Sequence, residues 1–167
     1  MSYPRPVVPH YPQHPQLPEP ERQSQRNAIA RSPPEVRAEI LLDWNLYHDY
    51  HGYIYALLRW VFDWRTGVFH PQIKYGLTGN VQQRMSGYQK CGPLTWMYCW
   101  PTTCVKLTEA LIHARLRSRG LAVESFYCSC KHWHREFFWG FGIADVCAEV
   151  EEVLRDTAQP ITRYFFV

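Results

Sequence analysis

Five residues between positions 55 and 113 have side chains suited to chemistry at a phosphodiester: Tyr55, Lys74, Arg84, Glu109 and His113. Cleavage of that bond requires a positioned water, a base, and positive charge where the non-bridging oxygens gain negative charge. A guanidinium can bind two phosphate oxygens at once, and a lysine adds a point charge. One carboxylate, with phosphate oxygens and waters, is a usual way to hold Mg²⁺. Glu109 and His113 are four residues apart, so on a helix they would share one face.

These residues need a scaffold that brings them together, and the sequence predicts an α/β fold of the α+β kind. β-branched and aromatic runs indicate strands, the first two forming an antiparallel hairpin. Periodic apolar residues indicate helices, one of them opened by Asn80 and Gln83 as a capping box and carrying Arg84. We expect a small central antiparallel sheet of about three strands with helices on both sides. The predicted strands lie near 52–61, 71–78 and 95–100, and the predicted helices include 105–119 and 142–156.

The first 34 residues differ in composition from the rest, because they hold nine of the thirteen prolines and few apolar side chains. Ordering such a segment costs more entropy than burial returns, so we expect 1–34 to be a Pro-rich disordered arm. The chain contains no run of 18 apolar residues and no apolar N-terminal stretch, so we expect no membrane span and no secretory signal. The interpretation is an intracellular protein, cytoplasmic or nuclear.

Basic residues are concentrated in the middle of the chain, where residues 74–135 hold nine Lys and Arg against two Glu, a balance of +7. Such asymmetry favours a polyanion partner, here DNA, although a solvated basic face is the alternative. A small-molecule substrate is not expected. The proposed DNA contacts are Lys74, Arg84, Lys90, Arg115, Arg117 and Arg119.

Short motifs around the five residues follow a recognisable order. Tyr53-Ile54-Tyr55 precedes Lys74-Tyr75-Gly76-Leu77-Thr78, then come Arg84, Glu109 with His113, and Glu136-Phe137-Phe138-Trp139. This order, over about residues 50–139, resembles the GIY-YIG superfamily of nucleases, and within it the phage Orf 172-like DNA-binding branch. The resemblance implies a domain over 35–167 with its core at about 50–139 and with N- and C-terminal helices.

The resemblance also implies roles for the five residues. Tyr55 matches a tyrosine that organises or deprotonates the attacking water, and Arg84 matches the arginine that contacts the scissile phosphate. Glu109 matches the carboxylate that holds a divalent metal, Mg²⁺ or Mn²⁺, and His113 matches the histidine of the phage-type branch. Lys74 stands where active nucleases have a second tyrosine. The adjacent Tyr75 is a poor substitute, because on a strand it would point to the opposite face.

Four possible metal ligands crowd residues 128–134, and Cys91 lies upstream. Zn²⁺ prefers thiolate and imidazole ligands, so Cys91, Cys128, Cys130 and His134 could complete a tetrahedral structural site. The alternative is that they are free cysteines and packing histidines. Cys99, Cys104 and Cys147 are predicted to be core residues.

Three functions from different classes remain open at this point. The first is a metal-dependent DNA endonuclease, and the second is a DNA-binding module that has lost cleavage. The third is a protein-interaction domain that contacts no nucleic acid. Lys74 in place of a tyrosine favours the second over the first, and the basic segment favours either over the third.

Overall fold

The computed structural model describes residues 19–34, 37–38, 51–63, 67–90, 94–120, 122–127, 133–139 and 142–166. The helices among them are α1 (Glu19–Arg31), α2 (Val81–Gln89), α3 (Val105–Ser118) and α4 (Ile143–Asp156). The strands are β1 (Gly52–Asp63), β2 (Val68–Thr78), β3 (Leu94–Thr102), β4 (Ala122–Tyr127), β5 (Trp133–Trp139) and β6 (Tyr164–Phe166). The predicted α+β class, an antiparallel sheet flanked by helices, is confirmed.

The centre of the sheet is the hairpin of β1 and β2, which the sequence predicts. Its register sets Tyr55 opposite Gly76 and Leu57 opposite Lys74. The strand order is β4-β5-β2-β1-β3-β6, and every pair is antiparallel. The sheet is therefore larger than the predicted three strands. β4 and β5 extend it beyond β2, and β6 covers the outer edge of β3, which satisfies backbone groups that an edge strand would leave open.

Side chains alternate between two faces of the sheet, and each face packs against different helices. On the face called here the α3 face, Ile54, Ala56 and Tyr75 pack against apolar residues of α1, α3 and α4. On the opposite face, called the α2 face, Tyr55 and Leu57 pack with α2 residues. Helices thus cover both sides, as predicted. A residue's position along a central strand decides which helix it meets.

Residues 19–31 of the arm form α1, so the expectation of disorder over 1–34 is corrected for these 13 residues. Ala28 is buried in the core, and the Arg31 guanidinium donates a hydrogen bond to the Asp156 carbonyl at the end of α4. The reason is that good helix formers lie between Pro20, which a first turn tolerates, and Pro33. Residues 1–18, 35–36 and 39–50, where the domain's predicted N-terminal helix would begin, lie outside the described residues.

Among the residues that the structure describes, no helix has the length and apolar character needed to cross a membrane.

Candidate functional site

Gly76 is the point at which two of the predicted site residues meet. A β-carbon built on Gly76 would lie 2.9 Å from the Tyr55 hydroxyl oxygen and 3.3 Å from Glu109 Oε1. Tyr55 reaches this point because it is directly opposite Gly76 in the hairpin. A side chain at position 76 would overlap the tyrosine, so glycine is required here for close approach of other groups. The missing side chain leaves the space in which a hydroxyl and a carboxylate converge.

Glu109 reaches that space from α3, although most of α3 packs on the other face of the sheet. Its Oε1 atom accepts a hydrogen bond of 3.0 Å from the backbone N–H of Leu77. The described pairing of β5 with β2 involves only Ile73 and Lys74. Leu77 lies further along β2, beyond the residues that pair with β5. The carboxylate thus satisfies an edge N–H and is held beside Gly76. Glu109 is partly exposed, which leaves it accessible to a ligand.

Arg84 approaches the same region from α2. Asn80 caps this helix, accepting a 2.9 Å hydrogen bond from the Gln83 N–H, which fixes the first turn that carries Arg84. The guanidinium donates to the Leu77 carbonyl at 3.2 Å and lies 5.5 Å from the centroid of the Tyr55 ring. The Arg84 side chain is otherwise exposed. It therefore places a positive charge beside the Tyr55 ring and the Leu77 carbonyl.

Tyr88 is a site residue that the sequence analysis missed. Its hydroxyl lies 2.9 Å from the Tyr55 hydroxyl, and the ring centroids are 6.0 Å apart. The signal was its spacing, because Tyr88 is four residues after Arg84 and so shares a face of α2 with it. The two tyrosines are both buried, so each hydroxyl supplies the hydrogen bond that the other needs.

The Tyr55 hydroxyl is held in its neutral form. Burial raises its pKa well above the ordinary value of 10.0, and the Tyr88 contact raises the pKa further. The charge of Arg84 lowers the pKa in part, whereas that of Glu109 raises it. At neutral pH the Tyr55 side chain is thus a hydrogen-bonding group that keeps its proton.

The other two predicted catalytic residues are placed differently. Lys74 lies on the same α2 face as Tyr55 and is 8% exposed. It is opposite Leu57, two register pairs from the pair of Tyr55 and Gly76. The His113 ring packs edge-on against Tyr75 at 5.8 Å between centroids, and Tyr75 belongs to the α3 face. The structure therefore brings Tyr55 and Glu109 together at Gly76, with Arg84 against the Tyr55 ring and the Leu77 carbonyl. Lys74 lies on the same face of the sheet, and His113 is directed toward the opposite face.

An open cleft of about 450 Å³ adjoins Arg84 and Tyr88. Its lining comes from the end of β2 and the exposed side of α2: Thr78, Asn80, Gln83, Arg84, Gly87 and Tyr88. The lining contains hydroxyl, amide and guanidinium groups and no carboxylate. Such a lining suits a polar or anionic ligand.

Two of the proposed DNA contacts are engaged within the protein. Arg119 lies 2.9 Å and Arg115 lies 3.6 Å from carboxylate oxygens of Glu149 on α4, and Arg115 also pairs with Asp156. The acidic α4 thus offsets much of the charge that the sequence predicts for a DNA surface on α3. A phosphate would have to compete with these carboxylates, which argues against a DNA role for Arg115 and Arg119. Of the four remaining proposed contacts, Arg84, Lys90 and Arg117 have exposed side chains, and Lys74 is buried.

Glu149→Gln should destabilise the fold, because Glu149 is only 4% exposed and its charge pairs with two arginines. We expect a loss of about 1–3 kcal/mol, less than for a fully buried pair because the Arg119 side chain is half-exposed. Urea unfolding measures this. Glu152→Gln is the matched control, since Glu152 is 60% exposed and 4.0 Å from Arg115. Equal unfolding midpoints for the two variants would contradict a stabilising role of the pairing between Glu149 and the two arginines.

The predicted zinc site falls on residues that the structure does not describe. Cys91, Cys128 and Cys130 lie outside the described residues, as does the side chain of His134. Elsewhere in the described part of the chain, no group of three or more His, Cys, Asp and Glu side chains could hold a metal ion. Cys99, Cys104 and Cys147 are buried free thiols, as predicted. Burial raises the pKa of Cys147 to about 11, so its thiol stays protonated at neutral pH.

Comparison with known proteins gives one family. The T5orf172 domain matches residues 52–158, which span β1 to the end of α4 and include every residue gathered around Gly76. No curated protein and no solved structure gives a significant match. Because the matched span covers more than half of the chain, the protein belongs to the T5orf172 domain family, which is associated with nuclease-type and DNA-binding domains.

Proposed function

We propose that this domain is a GIY-YIG-type endonuclease that binds DNA and cleaves a phosphodiester bond with the help of Mg²⁺ or Mn²⁺. One observation carries the proposal. Tyr55, Arg84 and Glu109 come from a strand and two different helices, yet Tyr55 and Glu109 meet at Gly76 and Arg84 contacts the Tyr55 ring and the adjacent Leu77 carbonyl. A hydroxyl, a guanidinium and a carboxylate in one place are the groups that phosphodiester cleavage needs.

Each side chain has a distinct task in this proposal. Arg84 binds the phosphate, since its guanidinium is exposed and can contact two oxygens. Tyr55 orients the attacking water by a hydrogen bond, because its raised pKa keeps the hydroxyl protonated. Tyr88 positions Tyr55 through the 2.9 Å contact between their hydroxyls. Lys74 adds positive charge on the same face of the sheet.

Glu109 is the residue that would hold the metal ion, which would stabilise negative charge on the phosphate. The fit is chemical: a partly exposed carboxylate is a hard oxygen ligand of the kind Mg²⁺ and Mn²⁺ prefer. The hydrogen bond from the Leu77 N–H fixes one carboxylate oxygen. His113, one turn later on α3, would support this position by packing against Tyr75. A structural zinc on Cys91, Cys128, Cys130 and His134 stays a separate prediction.

A DNA-binding module without cleavage is the second candidate. It is favoured by Lys74 in place of a tyrosine and by the burial of Tyr55, which is 2% exposed. Such a module would still use Arg84 for phosphate contact. The two candidates therefore predict the same binding behaviour and differ only in whether the bound DNA is cut.

Affinity for DNA should fall steeply as salt concentration rises, because phosphate contacts release bound counterions. Arg84→Ala should weaken binding across sequences and reduce the slope of log affinity against log salt by about 1. Fluorescence anisotropy with a labelled oligonucleotide at several salt concentrations measures both effects.

Arg155→Ala is the matched control, because Arg155 is an exposed arginine on α4, which packs on the α3 face away from Arg84. It removes the same charge and should leave the salt slope unchanged. Absence of binding at low salt, or binding independent of salt, would contradict a nucleic-acid function.

A further inference from the structure

Gly87 is an interior residue of α2, where glycine weakens a helix relative to alanine. A β-carbon built on it would meet nothing within 4 Å, and its φ is not in the left-handed region. Neither packing nor backbone conformation within the chain therefore requires glycine at this position. This differs from Gly76, where a β-carbon would overlap Tyr55. The space above Gly87 is open, and it is part of the cleft beside Arg84.

The side chains around Gly87 indicate what the cleft can bind. Gln83 and Arg84 precede Gly87 by four and three residues, so all three share one face of α2. Both side chains are exposed, and both line the cleft. The residues that line the cleft include no Asp or Glu, and the nearby carboxylate of Glu109 is held by the Leu77 N–H outside this lining. The cleft therefore favours an anion that also carries hydrogen-bonding edges.

We infer that the cleft binds one unpaired nucleotide of the DNA strand whose phosphate Arg84 holds. The sugar passes directly over Gly87, where any side chain would obstruct it. Gln83 offers an amide donor and acceptor to the base edge. The Asn80 side-chain oxygen accepts from the Gln83 N–H, so Asn80 presents its NH₂ group as a donor.

Size and pairing support a single unpaired nucleotide as the occupant. The volume of about 450 Å³ is in the range of clefts that bind a small ligand. A base within a duplex keeps its Watson–Crick edge for its partner, whereas a base in a pocket must be unpaired or extruded. The inference rests on the proposed DNA function and names the part of the DNA that the site recognises.

The test compares Gly87→Leu with Ser86→Leu by fluorescence anisotropy. The probes are a fully paired duplex and the same duplex with one unpaired nucleotide. Ser86 is the matched control, because it is exposed on the same helix and does not line the cleft. Leucine favours helix more than glycine or serine does, so both variants should melt at or above the wild-type temperature.

Wild-type protein should bind the duplex with the unpaired nucleotide more tightly than the paired duplex. Gly87→Leu should weaken binding of that probe by at least about tenfold, equivalent to about 1.4 kcal/mol, while Ser86→Leu stays near wild type. Gly87→Ala, with a smaller side chain, should give an intermediate loss. Wild-type-like binding by Gly87→Leu, or equal wild-type affinity for the two probes, would overturn this inference alone. Failure of the wild type to bind either probe would overturn the proposed function as well.

Discussion

Glu109→Gln should reduce DNA cleavage by a factor on the order of 10²–10³, while DNA affinity stays near wild type. Glutamine keeps the shape of the side chain and an oxygen that can accept from the Leu77 N–H. It removes the negative charge that a divalent cation requires. Binding is spared because loss of a carboxylate does not reduce the attraction of a polyanion. Single-turnover cleavage of a labelled duplex, beside anisotropy on the same DNA, measures both quantities.

Glu109→Ala separates the charge from the hydrogen bond. It removes both, so it should cut no faster than Glu109→Gln and should also melt at a lower temperature, because the Leu77 N–H loses its acceptor. If Glu109→Gln cleaves at the wild-type rate while Glu109→Ala does not, the carboxylate serves the fold and not the reaction. That result would remove Glu109 as the metal-holding residue.

Gly76→Ala should impair cleavage by at least about tenfold through a displacement of Tyr55. The added β-carbon would lie 2.9 Å from the Tyr55 hydroxyl oxygen and 3.2 Å from the ring carbon that carries it. Tyr55 is buried, so its ring has little room to move, and overpacking of this kind costs about 1–3 kcal/mol of stability. Cleavage rate and urea unfolding together measure the effect.

Two further variants test whether the Tyr55 hydroxyl is the cause. Gly79→Ala is the matched glycine control, because a β-carbon there meets nothing within 4 Å, and it should be neutral. Tyr55→Phe in the Gly76→Ala background removes the clashing oxygen. Because Tyr55→Phe alone also removes the hydrogen bond to Tyr88, the double variant is compared with Tyr55→Phe. Gly76→Ala should cost less stability in the Tyr55→Phe background than in wild type, and cleavage should stay impaired. An equal cost of Gly76→Ala in both backgrounds would show that the Tyr55 hydroxyl does not explain the role of Gly76.

Local sequence patterns predicted the central elements of the fold well. The β-branched and aromatic runs of β1 and β2 and the amphipathic pattern of α4 are strong signals, and the structure confirms these elements within a few residues. β4, β5 and β6 were not predicted. β6 has only three residues, and β4 and β5 flank a Cys/His-rich segment that suggested a metal site. Their place in the sheet depends on pairing between distant strands, which periodicity does not contain.

The candidate site shows the same division between local and long-range information. The motif order that resembles the GIY-YIG superfamily identified Tyr55, Arg84 and Glu109 from the sequence. The structure places both Arg84 and Glu109 beside Tyr55 or its partner Gly76. Tyr88 was missed because its partner, Tyr55, is 33 positions away and is found only through the packing of α2 on the sheet. In the same way, the pairing of Arg115 with Glu149 depends on contact between two helices.

Incubation of the wild-type protein with supercoiled plasmid, with Mg²⁺, Mn²⁺ or excess EDTA, tests the proposed endonuclease most directly. The proposal predicts nicked or linear DNA with either metal, intact plasmid with EDTA, and intact plasmid with Glu109→Ala under all three conditions. If the wild type binds DNA yet cuts no plasmid, single strand or branched DNA with either metal, the endonuclease is contradicted. The residues around Gly76 would then serve DNA binding alone.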